Sequence, residues 1–425
     1  MQALQIKGKA RLGGEINVHG AKNSALPILA ATVLINGESV IHNCPMLSDV
    51  VTAIQILESL GAEITIEKNT VIVNSRNIHS YYIPEKLMHE MRSSIIFLGA
   101  LAARMGKACM FLPGGCEIGL RPIDLHLKAL KSLGYSVCFD GNNICADNEN
   151  AKAQKIVLSF PSVGATENSI LAAVGLPGRT TIINAAREPE ITDLIHFLNS
   201  AGAKITGAST PVIEIEGVSA LSSTEHTVIP DRICAATYMS AAAVTSNTLK
   251  INRVLPSHLA PVFPVFSEMG CKIYLEKNAV ILKPPKRLKR VKCIQTQPYP
   301  GFPTDCQSLV MVPLTVAGGT SVVEETIFES RYKHIAQLNR FGADICVRDC
   351  VAIINGVRYL HGTTAHCTDL RGGAAVVLEA LAAEGSTTIK DIFHIDRGYE
   401  NFEQQLSSIG ADIKRINYEE EKTKP

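Results

Sequence analysis

The string ESLGAEI at 58–64 recurs five more times along the chain, as KSLGYSV at 131–137, NSAGAKI at 199–205, SEMGCKI at 267–273, NRFGADI at 339–345 and SSIGADI at 407–413. The glycines at its centre are Gly61, Gly134, Gly202, Gly270, Gly342 and Gly410, and their spacings are 73, 68, 68, 72 and 68 residues. A recurrence this regular marks a structural repeat, and a period near 70 exceeds the ~20–50 residues of solenoid repeats. Before each glycine lies a stretch such as LSDVVTAIQILESLG with apolar residues at three- and four-residue steps, which predicts an amphipathic helix. The glycine then serves as a left-handed C-cap. After it comes a short alternating segment such as AEITIEKNTVIV, which predicts strands. Upstream of each helix lies another strand opened by a small-residue turn: NGESVIHN, GKACMFLP, GRTTIINA, SNTLKINR, GGTSVVEE and GSTTIKDI. One unit therefore reads as strand, loop, helix, glycine stop, strands. Six units divide into two sets of three, each near the size at which a single core stops growing. The expected domains are 22–229, and 1–21 with 230–425.

Composition narrows the function classes. The 425 residues carry 41 Lys+Arg against 40 Asp+Glu, a formal charge of +1. A dedicated nucleic-acid binder normally carries a large basic excess. The one basic run, KPPKRLKRVK at 283–292, lacks interleaved aromatics and reads as a solvated strand and turn. No apolar run approaches the ~20 residues of a membrane span, and the N-terminus MQALQIKGKARLGGE lacks the apolar core of a secretory signal. A cytoplasmic location is expected. None of the 12 cysteines lies in a C-x-x-C pair, so a structural zinc site is not expected. Reduced thiols, mostly small buried hydrophobes, are the default. Neither a P-loop nor a strand-borne dinucleotide fingerprint is present.

Each loop between a repeat's first strand and its helix faces a helix N-terminus, where backbone N–H groups and the positive dipole end suit anions. These loops hold Cys116 with Arg121, Arg187 with Glu188, Glu329 with Arg331, and Asp396 with Arg397. Three constellations each admit two readings. In GGCEIGLRP, Cys116 is either a mobile thiol tuned by a nearby cation or an incidental turn cysteine. In HGAKNSALP, Lys22 beside Asn23 opposes the helix dipole, so it either meets an anion or is a solvated surface lysine. In PYPGFPTDCQ, Asp305 is either a general base or, with Thr304, a plain helix cap. Asp369 and Arg371 in CTDLRGG, Arg397 in HIDRGYE and Arg92 in MRSS add charged groups of the same kind.

Taken together, HGAKNSALPILAA, LPGGCEIGLRPIDLH, PSVGATENSI, NAAREPEI, IPDRI, GFPTDCQ, TDLR and HIDRGYE resemble the enolpyruvyl transferase family, collinearly from about residue 1 to residue 419. The cysteine loop and the KNSALP string resemble the branch acting on UDP-N-acetylglucosamine rather than the 3-phosphoshikimate branch. The resemblance implies an inside-out α/β barrel fold of two three-unit domains joined by a double hinge. It implies transfer of the enolpyruvyl group of phosphoenolpyruvate to the 3-hydroxyl of UDP-N-acetylglucosamine, through a tetrahedral ketal, with no metal or organic cofactor. Closure of the domains over the substrates is part of that expectation. By the same resemblance Lys22, Arg92, Arg121 and Arg397 meet phosphoenolpyruvate, Cys116 is the acid, and Asp305 is the base. The nucleotide sugar is assigned Asn23, Arg92, Arg121, Pro122, Ile123, Asp124, Leu125, His126, Ser162, Val163, Gly164, Asp305 and Ile327, with Asp369 and Arg371 near the reacting centre. Glu117, Leu120 and the Phe160–Pro161 pair depart from the family's usual residues.

Overall fold

The computed structural model describes residues 1–112 and 123–418, apart from the side chain of Arg92. The described residues form two compact units. One comprises 20–112 and 123–229, and is called the inserted unit. The other comprises 1–19 and 230–418, and is called the terminal unit.

All six repeat glycines have positive φ, between +85° and +107°, where a side chain would strain the backbone. At Gly61 the N–H reaches the Glu58 carbonyl at 3.0 Å while that of Ala62 reaches Leu57 at 3.0 Å. Paired bonds of this kind close a helix end and release the chain sideways into a strand.

The strands build six four-stranded sheets of one design. In the third, Lys155–Val157 lies parallel to Arg179–Ile183, which pairs antiparallel with Val212–Glu216, which pairs antiparallel with Lys204–Thr206. The parallel pair demands a crossover, and the helix Val163–Ala173 supplies it. Each repeat thus holds a second helix that the sequence reading did not count as part of the unit. The reason is burial. The outer helix Ser48–Leu60 exposes Ser48, Val51, Gln55, Glu58 and Ser59 on one face, and so shows a helical period. The inner helix Arg232–Val244 is buried at all 13 positions and has no polar stripe to reveal it. Its alanines, together with Ala374, Ala375 and Ala380 of Leu370–Ala382, let the inner helices approach closely inside the core of the terminal unit. The inserted unit has its own core around Lys22–Thr32, Phe97–Met105 and Val163–Ala173.

The chain closes each unit on itself. In the inserted unit the last strand, Thr224–Thr227, runs parallel to the first, Glu38–His42. In the terminal unit Gln2–Lys7 fills the sixth sheet between Ser386–Lys390 and Asp412–Asn417, and the Met1 ammonium donates to the Tyr418 carbonyl at 3.0 Å. Glu15–Asn17 then edges the fourth sheet beside Leu249–Asn252.

The cysteines differ from expectation. Among the eleven described, five are buried (Cys44, Cys234, Cys271, Cys306 and Cys367), four are exposed, and Cys109 and Cys145 are joined by a disulfide. Alternation along short outer strands places several of them on solvent faces, which composition does not reveal.

Glu379 sits fully buried in the core helix Leu370–Ala382. Burial pushes its carboxyl well above the ordinary range, and the Thr315 hydroxyl, 3.1 Å from Oε2, only partly opposes this. Below the ordinary value of 4.5 both folded and unfolded chains hold the proton. As pH rises further the unfolded chain releases it and the native chain keeps it. Stability therefore falls, by about 1.4 kcal/mol per pH unit, until the folded value is passed. Glu379→Gln removes this titration. The variant's stability relative to the parent is expected to rise as the pH climbs above the ordinary carboxyl value of 4.5, as read by chemical unfolding. Parallel pH profiles for the two proteins would contradict a protonated Glu379.

Candidate active site

In the terminal unit the N-termini of three inner helices, Arg232–Val244, Thr304–Thr315 and Leu370–Ala382, bring their charged residues together. Two of these helices are capped by aspartates. Asp231 Oδ1 accepts from the N–H groups of Ile233 and Cys234 at 2.8 and 2.9 Å. Asp369 Oδ1 accepts from Arg371 and Gly372 at 3.0 and 2.9 Å, and the Thr368 hydroxyl donates to Oδ2 at 3.0 Å.

Asp305 is different. The cap position belongs to Pro303, with no side-chain cap bond, so neither Thr304 nor Asp305 is the helix cap. Asp305 lies in the first turn with its side chain 29% exposed. Its Oδ1 accepts from Arg331 Nη2 at 2.5 Å, with Arg371 Nε 3.9 Å away. Both arginine side chains are buried, at 2% and 3% exposure. Burial works against the Arg371 cation. Tyr399, Asp305 and Asp231 outweigh burial and raise its pKa, and the guanidinium lies 5.5 Å from the Tyr399 ring centre. Burial pushes the neighbouring Cys306 thiol up to about 12, so this cysteine of the PTDCQ motif is inert near neutrality. His334 is held near 4 by burial.

Glu325, buried on the adjoining turn, ties two candidate residues to one another. Its Oε2 accepts from the Thr304 hydroxyl at 2.8 Å. Its Oε1 accepts from the Ile327 and Phe328 N–H groups at 2.8 and 3.1 Å. The Ile327 backbone and the helix start bearing Asp305 are thereby fixed by a single carboxylate. Arg397 is half-buried and follows the short helix Phe393–Asp396. Its neighbour Asp396 is engaged in a two-pronged pair with Arg415, at 2.7 and 3.0 Å, which Arg415 shares with Glu403. Asp396 is thus a structural member of the HIDRGYE motif.

In the inserted unit Lys22 opens the helix Lys22–Thr32 rather than preceding it. At 7% exposure it is no solvated surface lysine, and its Nζ lies 2.9 Å from Oδ2 of the buried Asp49. Asn23 is half-buried beside it. Arg92 opens the turn Arg92–Ile96. Ser162 caps Val163–Ala173 through the Ala165 N–H at 3.4 Å.

Two of the candidate nucleotide residues, His126 and Gly164, meet at a buried knot. The Asn168 amide donates to His126 Nδ1 at 2.9 Å and to the Ile95 carbonyl at 2.9 Å, while its Oδ1 accepts from the Gly99 N–H at 2.7 Å. Burial holds His126 near pKa 4, with Asp124 opposing, so the ring is neutral with Nε2 carrying its proton. A Cβ on Gly164 would lie 2.9 Å from His126 Cε1. The glycine of the SVG turn is therefore needed for the histidine to pack. Gly164, at the start of Val163–Ala173, thereby packs against the first turn of the helix Asp124–Ser132. Asp124 instead faces solvent and pairs with Lys128 at 3.2 Å. Cys116, Arg121 and Pro122 lie outside the described residues.

Sequence reading missed Asp49, Asn168, Glu325 and Tyr399, and named Arg331 without joining it to Asp305. A buried-position carboxylate or amide carries no local mark. Only Arg331, in a loop already rich in charge, offered a signal.

Known proteins supply an independent comparison. A family model described as EPSP synthase (3-phosphoshikimate 1-carboxyvinyltransferase) matches residues 6–406. The chain is 50% identical to UDP-N-acetylglucosamine 1-carboxyvinyltransferase 2 of Caldanaerobacter subterraneus subsp. tengcongensis, covering 98% of this chain and 100% of that one. It is 44% identical to UDP-N-acetylglucosamine 1-carboxyvinyltransferase of Finegoldia magna, covering 99% and 100%. Among solved structures, the enolpyruvyl transferase NikO from Streptomyces tendae superposes with a TM-score of 0.88 at 24% identity, over 97% of this chain and 98% of that one. EPSP synthase from Acinetobacter baumannii follows with a TM-score of 0.75 at 17% identity, over 98% and 100%. The structural likenesses establish a shared fold.

Proposed function

The chain belongs to the enolpyruvyl transferase family, and from that premise we propose that it transfers the enolpyruvyl group of phosphoenolpyruvate to the 3-hydroxyl of UDP-N-acetylglucosamine, with release of phosphate. This is the first committed step of peptidoglycan precursor synthesis. The acceptor is chosen on one observation: relatives named for the UDP-sugar reaction share 44–50% identity along nearly the whole chain. No described helix is long and apolar enough to cross a membrane, and the cytoplasm is the location that fits this reaction.

The chemistry follows from the residues. Phosphoenolpyruvate is strongly anionic, so cations must neutralise it as water leaves. We assign that task to Lys22, Arg92, Arg121 and Arg397, each charge-assisted bond contributing roughly 1.5–3 kcal/mol. Asp305 accepts the proton of the sugar hydroxyl. The arginine pair holds its carboxylate in place, and preorganisation of this kind costs nothing at the moment of reaction. Addition requires a proton at the methylene carbon, and Cys116 is the assigned donor. A thiol of ordinary pKa, about 8.5, is mostly protonated at neutral pH. Elimination of phosphate from the tetrahedral ketal then regenerates the enol ether. The His126–Gly164 knot, with Ser162, Val163, Ile123 and Leu125, is assigned to the uridine side. Asp369 keeps its helix start rigid, and Arg371 backs Asp305.

Phosphate release is the direct test. It is expected with phosphoenolpyruvate and UDP-N-acetylglucosamine, and expected to stop on treatment with an epoxide that alkylates Cys116. Cys116→Ser should lose most turnover and keep sugar-nucleotide binding. Turnover with 3-phosphoshikimate instead would move the chain to the other branch. Sugar-nucleotide binding without phosphate release would make it a sensor rather than an enzyme.

A further inference from the structure

The inserted unit's second sheet carries a row of three cysteines that the transferase reading does not use. Strand Lys107–Phe111 pairs antiparallel with Asn143–Asp147, placing Cys109 opposite Cys145. On the other side Ser136–Asp140 pairs with Asn143–Asp147, placing Cys138 opposite the same Cys145. Ala108, Met110, Ile144 and Ala146 point into the core. The alternating cysteines therefore occupy the outer face. Cys109 and Cys145 are joined by a disulfide, and Cys138 is an exposed free thiol.

The ladder geometry makes both partners of Cys145 accessible to it. The Cα atoms of Cys109 and Cys145 are 4.1 Å apart, which is the narrow type of antiparallel pair. A residue in a narrow pair on one side turns its N–H and C=O to the other side. Cys145 and Cys138 thus form the wide type, with Cα atoms about 5.5 Å apart. That separation lies within the ~4.4–6.8 Å that most disulfides span, and the Cβ atoms, ~4.5–5.5 Å apart across a ladder pair, must close by up to about 1 Å to reach bonding distance. We propose that Cys109, Cys145 and Cys138 form a thiol–disulfide exchange site, in which Cys145 bonds alternately to either neighbour and the third sulfur reacts with low-molecular-weight thiols and disulfides.

The exchange balances without an external oxidant. The Cys138 thiolate attacks Sγ of Cys145, the new S–S bond forms, and the Cys145–Cys109 bond breaks. The electron pair leaves on Cys109 Sγ, which takes a proton from solvent. When all three are reduced, a small disulfide is the oxidant. Cys138 attacks it and expels one small thiol. Cys145 then attacks the mixed disulfide and expels the second. Two protein thiols and one small disulfide become one protein disulfide and two small thiols.

The terminal unit supplies an internal control. The matching row of its fifth-repeat sheet runs Cys293, Val322, Ile353, Cys346. Both cysteines are exposed, but they sit three strand spacings apart, about 14 Å, and cannot bond to each other.

The test uses the full chain equilibrated in a glutathione redox buffer, quenched in acid, alkylated and mapped by mass spectrometry. The expected map shows Cys145 linked to Cys109 in one fraction and to Cys138 in another. Cys109→Ser is expected to convert all linkage at Cys145 to Cys138, and Cys138→Ser to preserve only Cys109–Cys145. Because the second step is intramolecular, linkage at Cys145 should exceed mixed-disulfide formation at Cys293 and Cys346 by at least about tenfold. Absence of any Cys138–Cys145 peptide, in the parent and in Cys109→Ser alike, overturns the proposal. So does a trio no more oxidised than Cys293 and Cys346. The mapping of the parent protein decides the matter even if a serine variant folds poorly.

Discussion

Asp305→Asn is expected to lower kcat by about 10²–10⁴-fold, the range that general acid–base help typically supplies. The substitution keeps the side chain's volume and leaves an amide oxygen able to accept the Arg331 N–H that now meets Oδ1 at 2.5 Å. It removes the basic oxygen and the negative charge between two buried guanidiniums. Buried cations that lose their counter-charge cost stability, so a modest fall in the melting temperature is expected alongside. The two effects separate in kinetics. Loss of a base lowers kcat and kcat/KM together, with the sugar-nucleotide KM little changed. A variant that keeps parental kcat while melting lower would reduce Asp305 to an anchor for Arg331.

Lys22→Met is expected to be more disruptive to stability, because the lysine is paired inside the fold as well as assigned to substrate in the proposed reaction. Its Nζ lies 2.9 Å from Asp49, and both side chains are under 10% exposed. Breaking a buried pair by removing one partner costs about 3–5 kcal/mol, since the remaining charge stays desolvated. A direct cation–anion contact with substrate adds a further loss of roughly 10–10²-fold in kcat/KM. The double variant Lys22→Met/Asp49→Asn replaces both charges and is expected to regain most of the stability and none of the activity. Chemical unfolding and phosphate release measured on the same three proteins check this. Recovery of turnover in the double variant would mean that Lys22 acts only as a structural partner of Asp49.

The site was unevenly legible, for physical reasons visible in individual residues. Lys22 stands out in the sequence because a lysine opposes the dipole of the helix it opens, and its burial removes the reading of a solvated surface lysine. Asp305 drew notice through its proline-stiffened approach. Its separation from the capping role depended on Pro303 occupying the cap and on Arg331 arriving from 26 residues away. Gly164 read as part of a turn, yet its necessity comes from a histidine ring 38 positions earlier. Asp49, Asn168 and Glu325 gave no signal, because a polar residue that satisfies a distant partner looks locally like any other.

By itself the sequence determined the six-fold repeat. A glycine stop must adopt positive φ wherever it falls, and an outer helix must show a polar stripe because water meets one face. Both constraints are local and survive in one dimension. Only the tertiary structure decided that each repeat has a second helix, since a helix surrounded by protein on every side has no stripe to show. It alone decided that Gln2–Lys7 completes the last sheet and that Cys138, Cys145 and Cys109 stand in one row. Strand pairing is fixed by register between segments far apart in the chain, and no local pattern records which distant strand a segment meets.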